Sequence, residues 1–219
     1  MHSGMLRISP GYGMSDEHVF VVDDDADIRD SMRLLLEVAG FKVRNFISAK
    51  QFLADDGPKH GCLIADIRMP DMSGLELQEE VTRHHIDLPV IIMTGHGDVP
   101  LAVRAMKAGA IDFLEKPFDD EKMLASVRRA LEIGSKARSR KAEAAAAKNL
   151  LASLTPRERG VLDKLVQGRS NKVVAYELGI SPRTVEIHRA HIMGKMDASS
   201  LSDLVRVVLA AEQGSNGHA

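Results

Sequence analysis

The chain has 219 residues, of which 44% are hydrophobic and 4% aromatic, which is enough apolar material for one or two globular domains. Its single cysteine, Cys62, excludes a disulfide framework within the chain and favours a reducing cytoplasm, and no apolar run approaches the roughly 20 residues that cross a bilayer. Net charge is −2 but uneven: residues 14–134 carry 23 acidic and 14 basic side chains, whereas residues 155–219 carry 7 and 9, which predicts two halves with different partners.

Residues 1–17 lack the apolar core of a signal peptide and are expected to be a leader or tag. Apolar runs that predict strands follow at 18–22, 41–46, 62–66, 89–94 and 112–117. Amphipathic segments that predict helices lie between and after them, at 26–39, 49–55, 74–84, 99–108 and 120–133. This alternation predicts an α/β domain over residues 18–134, with a flavodoxin-like parallel sheet covered by helices on both faces.

Residues 135–153 are rich in Ala, Lys and Arg, and contain no Pro or Gly, so we expect a solvated, partly helical linker. Residues 154–212 show no strand signal and predict a small all-α domain of four helices, the first of which begins with the capping box Thr155-Pro-Arg-Glu158. Its second and third helices, predicted at 171–178 and 182–196, are joined by Gly-Ile-Ser in the pattern of a helix-turn-helix. Residues 213–219 are expected to be a flexible tail.

Polar side chains follow four of the predicted strands where each strand ends: Asp23 and Asp24, then Asp66, then Thr94, then Lys116. In a flavodoxin-like sheet these ends share one edge, where ligands bind. Clustered carboxylates need a cation, and hard oxygen ligands favour Mg²⁺, with Mn²⁺ as an alternative. A lysine and a hydroxyl suit phosphoryl oxygens. The pattern therefore predicts a phosphoryl site with Asp66 as the nucleophile.

Simpler explanations stay open from the sequence alone. The aspartates at 23–25 could cap the next helix, Asp66 could be a turn carboxylate, and Thr94 and Lys116 could be ordinary strand-end or solvated side chains. A Mg²⁺-dependent phosphatase that forms an aspartyl phosphate is a second hypothesis. Arg68 counts against it, because it stands two residues after Asp66, where a second catalytic acid would be needed.

The motifs DDD, D-x-R-M-P-D-M-S-G, T-G-H-G and K-P-F, in this order, resemble the receiver domain of two-component response regulators. The resemblance implies that Asp66 accepts a phosphoryl group from the phosphohistidine of a sensor kinase. It implies a Mg²⁺ site formed by Asp23 through water, Asp24, Asp66 and the backbone carbonyl of Arg68.

The same resemblance implies how the receiver would switch. Thr94 and Lys116 would contact the phosphoryl oxygens, and the aromatic Phe113 on the fifth strand would rotate inward. The surface of the fourth helix and fifth strand would then pair two receivers into a homodimer. Core packing of Phe113 without switching is the alternative. The Lys116–Pro117 peptide bond is expected to be cis.

The segments LTPRE, SNK and SPRTVEIHRAHIMGKM resemble LuxR-type output domains, and the two halves together resemble the NarL/FixJ class of transcription regulators. Within that class the sequence motifs are most similar to those of the FixJ type, which controls nitrogen-fixation and microaerobic genes. The resemblance implies an activator that is phosphorylated by a FixL-like kinase, binds promoter DNA at an inverted repeat and acts on RNA polymerase.

The side chains predicted to contact DNA share the helix-turn-helix: Ser170, Asn171, Lys172, Arg183, Thr184, Glu186, Ile187, His188, Arg189 and Lys195. A solvated helix face is the alternative for them. Leu204, Val205 and Val208 on the last helix could form a dimer seam or only a core. A ligand-sensing regulator with the same output half is a third hypothesis, and the acidic, aromatic-poor first half argues against its apolar pocket.

Overall fold

The computed structural model describes residues 17–95 and 99–213, so the predicted leader and tail lie outside the described residues except at their inner ends. The strands are β1 His18–Val22, β2 Lys42–Phe46, β3 Gly61–Asp66, β4 Val90–Thr94 and β5 Asp112–Glu115. The helices are α1 Ala26–Val38, α2 Ala49–Ala54, α3 Gly74–Arg83, α4 Val99–Lys107, α5 Asp120–Ala152, α6 Pro156–Val166, α7 Asn171–Leu178, α8 Pro182–Lys195 and α9 Leu201–Gln213. The chain divides into two compact units between Lys136 and Ala137.

The first unit is built on a parallel sheet in the order β2-β1-β3-β4-β5, which confirms the flavodoxin-like prediction. Alternate residues of each strand face opposite sides. Val19 and Val21 pack with residues of α1 and α5, whereas Phe20 and Val22 pack with residues of α2 and α3. Because both faces are covered, the three central strands β1, β3 and β4 are nearly continuous apolar runs.

The strand register brings the ends of β1 and β3 to one edge. Val22 pairs with Ala65, so Asp23, which follows β1, and Asp66, the last residue of β3, lie at the same level. Asp25 begins α1 by accepting hydrogen bonds from the backbone N–H groups of Asp27 and Ile28. The sequence DDD is therefore divided between a strand end and a helix cap.

The linker prediction is wrong in two respects. The helix expected to end near residue 133 continues to Ala152, and its last part is not fully solvated, because Ala144, Ala147 and Leu151 are buried. Alanine has the highest helix propensity and no residue in this stretch stops a helix. Ala147 and Leu151 join the core of the second unit, which the sequence pattern alone did not indicate.

The second unit packs α6 to α9 around Val161, Leu162, Val185 and Ile192. Gly179 ends α7 in the left-handed conformation with φ 65°, which glycine adopts without a Cβ penalty, and the side chain of Ser181 caps α8. Among the helices in the described residues, none combines the length and hydrophobicity that crossing a membrane requires.

Candidate functional site

Asp23, Asp66 and Lys116 form a cluster at the carboxyl end of the sheet, here called the acidic pocket. Lys116 Nζ donates to Asp23 Oδ2 at 2.7 Å and to Asp66 Oδ1 at 2.6 Å. The two carboxylates come from neighbouring strands, and the lysine follows β5 at the edge of the sheet. Asp23 is 1% and Asp66 is 6% exposed, so both depend on bonded partners for their stability.

Backbone groups hold the second oxygen of each carboxylate. The Arg68 N–H donates to Asp66 Oδ2 at 2.6 Å, and the Asp25 N–H donates to Asp23 Oδ1 at 2.9 Å. In both cases the carboxylate accepts from the backbone N–H two residues later, which holds the side chain close to its own backbone. The carboxylates are therefore oriented before any ligand binds.

The protonation equilibria of the pocket follow from burial and pairing. Burial raises the pKa of Asp23 above its usual range and outweighs the opposing hydrogen bond from Lys116. For Lys116 the balance is reversed: burial disfavours the ammonium, but the hydrogen bonds to Asp23 and Asp66 outweigh burial and raise its pKa. Lys116 is therefore a permanent cation at neutral pH, and its charge partly neutralises the two acids.

The other predicted receiver residues lie directly after Asp23 or on β4 and β5. Asp24 is exposed directly after Asp23, Thr94 is buried at the end of β4, and Phe113 on β5 is half-buried against the core. The Lys116–Pro117 peptide bond is cis, as the resemblance predicts.

The acidic pocket offers the donor atoms that Mg²⁺ prefers. Within residues 17–95 and 99–213, no three His, Cys, Asp or Glu side chains stand together as a ready metal-binding group. The predicted set does not require one, since one of its ligands would be a backbone carbonyl, that of Arg68, and Asp23 would act through water. Asp24 and Asp66 supply the hard carboxylate oxygens that Mg²⁺ prefers, so the residues present fit this ion.

Two residues at the pocket were missed in the sequence. Arg29 on α1 donates from Nη1 to the backbone oxygen of Asp23 at 2.8 Å and so fixes the end of β1. Gly74 begins α3, and a Cβ on it would lie 2.3 Å from the backbone oxygen of Asp66, so any larger residue would displace the chain there. The glycine of the MSG segment was visible, but its closeness to Asp66 depends on the fold.

In the second unit, the predicted DNA-binding residues have different exposures. The exposed ones are Ser170, Lys172, Arg183, Glu186, Ile187 and Lys195. The half-buried ones are Asn171, Thr184, His188 and Arg189. Ser170 stands at the start of α7 without a side-chain capping bond. Lys195 differs from the rest because its ammonium donates to Glu158 at 2.7 Å, and the buried Glu158 was not singled out in the sequence beyond its capping role.

The three apolar residues proposed as a dimer seam do not share one environment. Leu204 is fully buried and packs in the core of the second unit, so it is not available to a partner and that assignment is corrected. Val205 and Val208 are half-buried, and Val208 packs against the core. Leu209, which is 50% exposed, is the larger apolar surface on α9. Helical spacing placed these residues together, but the division between core and surface depends on how α9 is packed.

Comparisons with known proteins agree with this geometry. Residues 19–128 match the family of the response regulator receiver domain, and residues 152–208 match the luxR family of bacterial regulatory proteins. The chain belongs to the response regulators with a LuxR-type DNA-binding domain. It is 49% identical, over 89% of its own length and 95% of the relative's, to the transcriptional regulatory protein FixJ of Bradyrhizobium diazoefficiens.

Two solved structures support the assignment to this family of response regulators. StyR aligns with a TM-score of 0.80 and 45% identity, covering 88% of this chain and 98% of that one. Full-length FixJ from B. japonicum aligns with a TM-score of 0.56 and 48% identity, covering 90% of this chain and 98% of that one. This response regulator is a FixJ-like transcription regulator, and its first unit is the receiver and its second unit the output domain.

Proposed function

We propose that phosphorylation of Asp66 converts this response regulator into a homodimer that binds promoter DNA and activates transcription. The observation that supports the proposal is the acidic pocket, in which a buried, oriented carboxylate is bonded to a permanent cation. The donor would be the phosphohistidine of a sensor kinase, and a FixL-like kinase is expected from the similarity to FixJ. We place this reaction in the cytoplasm, as the lone cysteine predicts.

In the proposed transfer, a carboxylate oxygen of Asp66 forms a bond to phosphorus while the bond between phosphorus and the histidine nitrogen breaks. The histidine keeps the electron pair and takes a proton. Lys116 donates to the oxygens that gain charge, as its ammonium already does to Asp66. Mg²⁺, when held by Asp24, Asp66, the Arg68 carbonyl and Asp23 through water, would neutralise the negative charge of the phosphoryl group.

The proposed switch begins at Thr94. Thr94 is the buried last residue of β4, the strand next to β3, and its hydroxyl would donate to a phosphoryl oxygen on Asp66. Phe113 on the following strand would move further into the core. The neighbouring face of α4 carries exposed apolar side chains, Val99 at 75%, Val103 at 46% and Met106 at 48%, which supports it as the surface that pairs two receivers.

A receiver dimer would present two output domains to DNA. Two linked modules bind two half-sites with one association cost, so dimerisation raises affinity without new contacts. Two-fold symmetry in the protein implies an inverted-repeat site. Contacts from Arg183, Glu186 and Arg189, action on RNA polymerase, and target genes for nitrogen fixation or microaerobic growth are parts of the same proposal.

The test compares the wild type with Asp66→Asn, treated with acetyl phosphate and Mg²⁺. Mass spectrometry should show one phosphoryl group on the wild type, and light scattering should show a dimer. Asp66→Asn should show neither, and Asp56→Asn, which changes an exposed aspartate, should behave as the wild type. Normal dimerisation of Asp66→Asn with the phosphodonor would refute the mechanism.

The same two proteins test the phosphatase hypothesis. Repeated release of phosphate from small phosphate esters by the wild type would favour an enzyme, whereas a regulator that accepts phosphoryl groups from a kinase or from acetyl phosphate should leave those esters intact.

A further inference from the structure

The output domain contains a buried carboxylate that binds the end of α8, the second helix of the helix-turn-helix. Glu158 on α6 is 4% exposed, and its Oε2 accepts from the Thr155 N–H at 2.8 Å and from Lys195 Nζ at 2.7 Å. Lys195 is the last residue of α8 and also donates to the backbone oxygen of Ser153 at 3.3 Å. One ammonium therefore connects the end of α8 to the start of α6 and to the turn before it.

Capping alone does not explain this arrangement, as a second capping box in the same chain shows. In the receiver, Ser73 and Glu76 form the same reciprocal bonds at the start of α3. Glu76 is exposed, whereas Glu158 is buried. A buried carboxylate is stable only when it is paired. Lys195 is the cation hydrogen-bonded to Glu158, and His191 Nδ1 lies 4.0 Å from Oε1 of the same carboxylate.

The carboxylate of Glu158 is charged under ordinary conditions. The hydrogen bond from Lys195, with the Thr155 backbone bond next, lowers the pKa of Glu158 to about 2. Glu158 is therefore ionised throughout the physiological range, and its bond to Lys195 persists there.

We propose that Glu158 and Lys195 position α8 for DNA binding, and that Lys195 acts through Glu158 rather than by contacting a phosphate. The N-terminal end of α8 is fixed by the cap from Ser181, and the Glu158–Lys195 bond fixes its C-terminal end. The residues predicted to reach bases lie between these two ends. If Lys195 moved to a DNA phosphate, Glu158 would be left buried without its cation. The inference requires DNA binding by the output domain but not phosphorylation of Asp66.

The experiment uses the full chain and two duplexes of about 30 base pairs, long enough for two half-sites about one helical turn apart. One is selected from a random pool with the wild type, and the other has the same composition in scrambled order. Dissociation constants are measured at several KCl concentrations for Lys195→Met, Glu158→Gln and the double variant. Gln keeps the capping bond to Thr155 but carries no charge for Lys195. Glu76→Gln is the matched control at the exposed box, and Arg183→Met is the control for a phosphate contact.

A positioning role predicts that both single variants lose roughly tenfold in affinity for the selected duplex, the size of one charged hydrogen bond. The double variant should lose no more than either single one, because both remove the same bond. In these variants the affinity for the scrambled duplex, and the slope of the logarithm of the binding constant against the logarithm of the KCl concentration, should stay at wild-type values. The conservative variant Lys195→Arg should bind the selected duplex as the wild type does.

Two results would overturn the proposal. A phosphate contact would show as a salt slope reduced by about 0.9 in Lys195→Met, as expected for Arg183→Met, with no loss in Glu158→Gln. A structural role alone would leave the ratio of specific to scrambled affinity unchanged while the protein unfolds more easily. If Lys195→Met fails to fold, Lys195→Gln takes its place: its uncharged amide can still donate to Glu158, so a smaller loss of specific affinity is expected, with the salt slope still at its wild-type value.

Discussion

The acidic pocket predicts a stability change that depends on Mg²⁺. Lys116 Nζ lies within 2.7 Å of Asp23 Oδ2 and 2.6 Å of Asp66 Oδ1, so the two acids are close neighbours whose repulsion the ammonium offsets. At a separation of about 5 Å and an effective dielectric constant of about 20, two carboxylate charges repel by about 3 kcal/mol. Lys116→Met keeps an unbranched side chain of similar length but removes the cation. We therefore expect the receiver's free energy of unfolding to fall by about 3 kcal/mol without Mg²⁺.

Hydrogen exchange measured on peptides from β1 and β3 is the suitable assay, because it reports the receiver separately in the full chain. Mg²⁺ should restore much of the lost protection in Lys116→Met, since a divalent cation replaces the missing charge, and should protect the wild type less. Lys50→Met is the control: it breaks the exposed ion pair with Asp71, so it should cost less than about 1 kcal/mol and be insensitive to Mg²⁺. Equal protection of Lys116→Met and wild type without Mg²⁺ would refute the electrostatic account of the pocket.

Three further predictions concern single side chains. Hydrogen bonds from the hydroxyls of Ser199 and Ser200 lower the pKa of Asp203 from 3.8 to about 2. The contribution of Asp203 to stability is therefore present above pH 3.8 and is lost as the pH falls toward 2. Urea unfolding at several pH values should show this loss, and Asp203→Asn should remove it from the pH dependence of the free energy of unfolding. Asp25→Ala removes the cap of α1 and should cost about 1 kcal/mol in urea unfolding. Leu204→Ala should cost about 2–5 kcal/mol as a core truncation, whereas Leu209→Ser should leave stability within about 0.5 kcal/mol and weaken the dimer in sedimentation if α9 pairs two output domains.

The receiver fold and the location of its pocket were predictable because each depends on local sequence. Each strand and the residue at which it ends can be identified from a short stretch of consecutive residues. A parallel sheet then places the carboxyl ends of all its strands at one edge. The residues Asp23, Asp66 and Lys116 could therefore be brought together without knowing any distance. Asp25 shows the limit of that reasoning, because the two explanations weighed for the DDD segment both apply, each to a different aspartate.

The features that sequence reasoning missed depend on contacts between distant residues. Nothing in the segment around Lys195 distinguishes a lysine facing DNA from one bonded to Glu158, 37 residues away. The Ala-rich part of α5 likewise gives no sign that Ala147 and Leu151 have a core to enter. The burial of Leu204 is of the same kind, since helical spacing defines a face but not what covers it.

The geometry of the acidic pocket indicates which bond would have to change when Asp66 is phosphorylated. In the structure described, one oxygen of Asp66 accepts from Lys116 and the other from the Arg68 N–H. The acyl phosphate formed by Asp66 uses one of these oxygens for the bond to phosphorus and leaves the other as a weaker, neutral carbonyl acceptor. The strongest acceptors are then the phosphoryl oxygens, which lie farther from the sheet than the carboxylate. Lys116 would have to follow them and weaken its bond to Asp23, whose raised pKa would rise further as the ammonium leaves. A divalent cation beside Asp23 would offset that effect, which gives a physical reason to expect phosphorylation and Mg²⁺ binding to be coupled in this receiver.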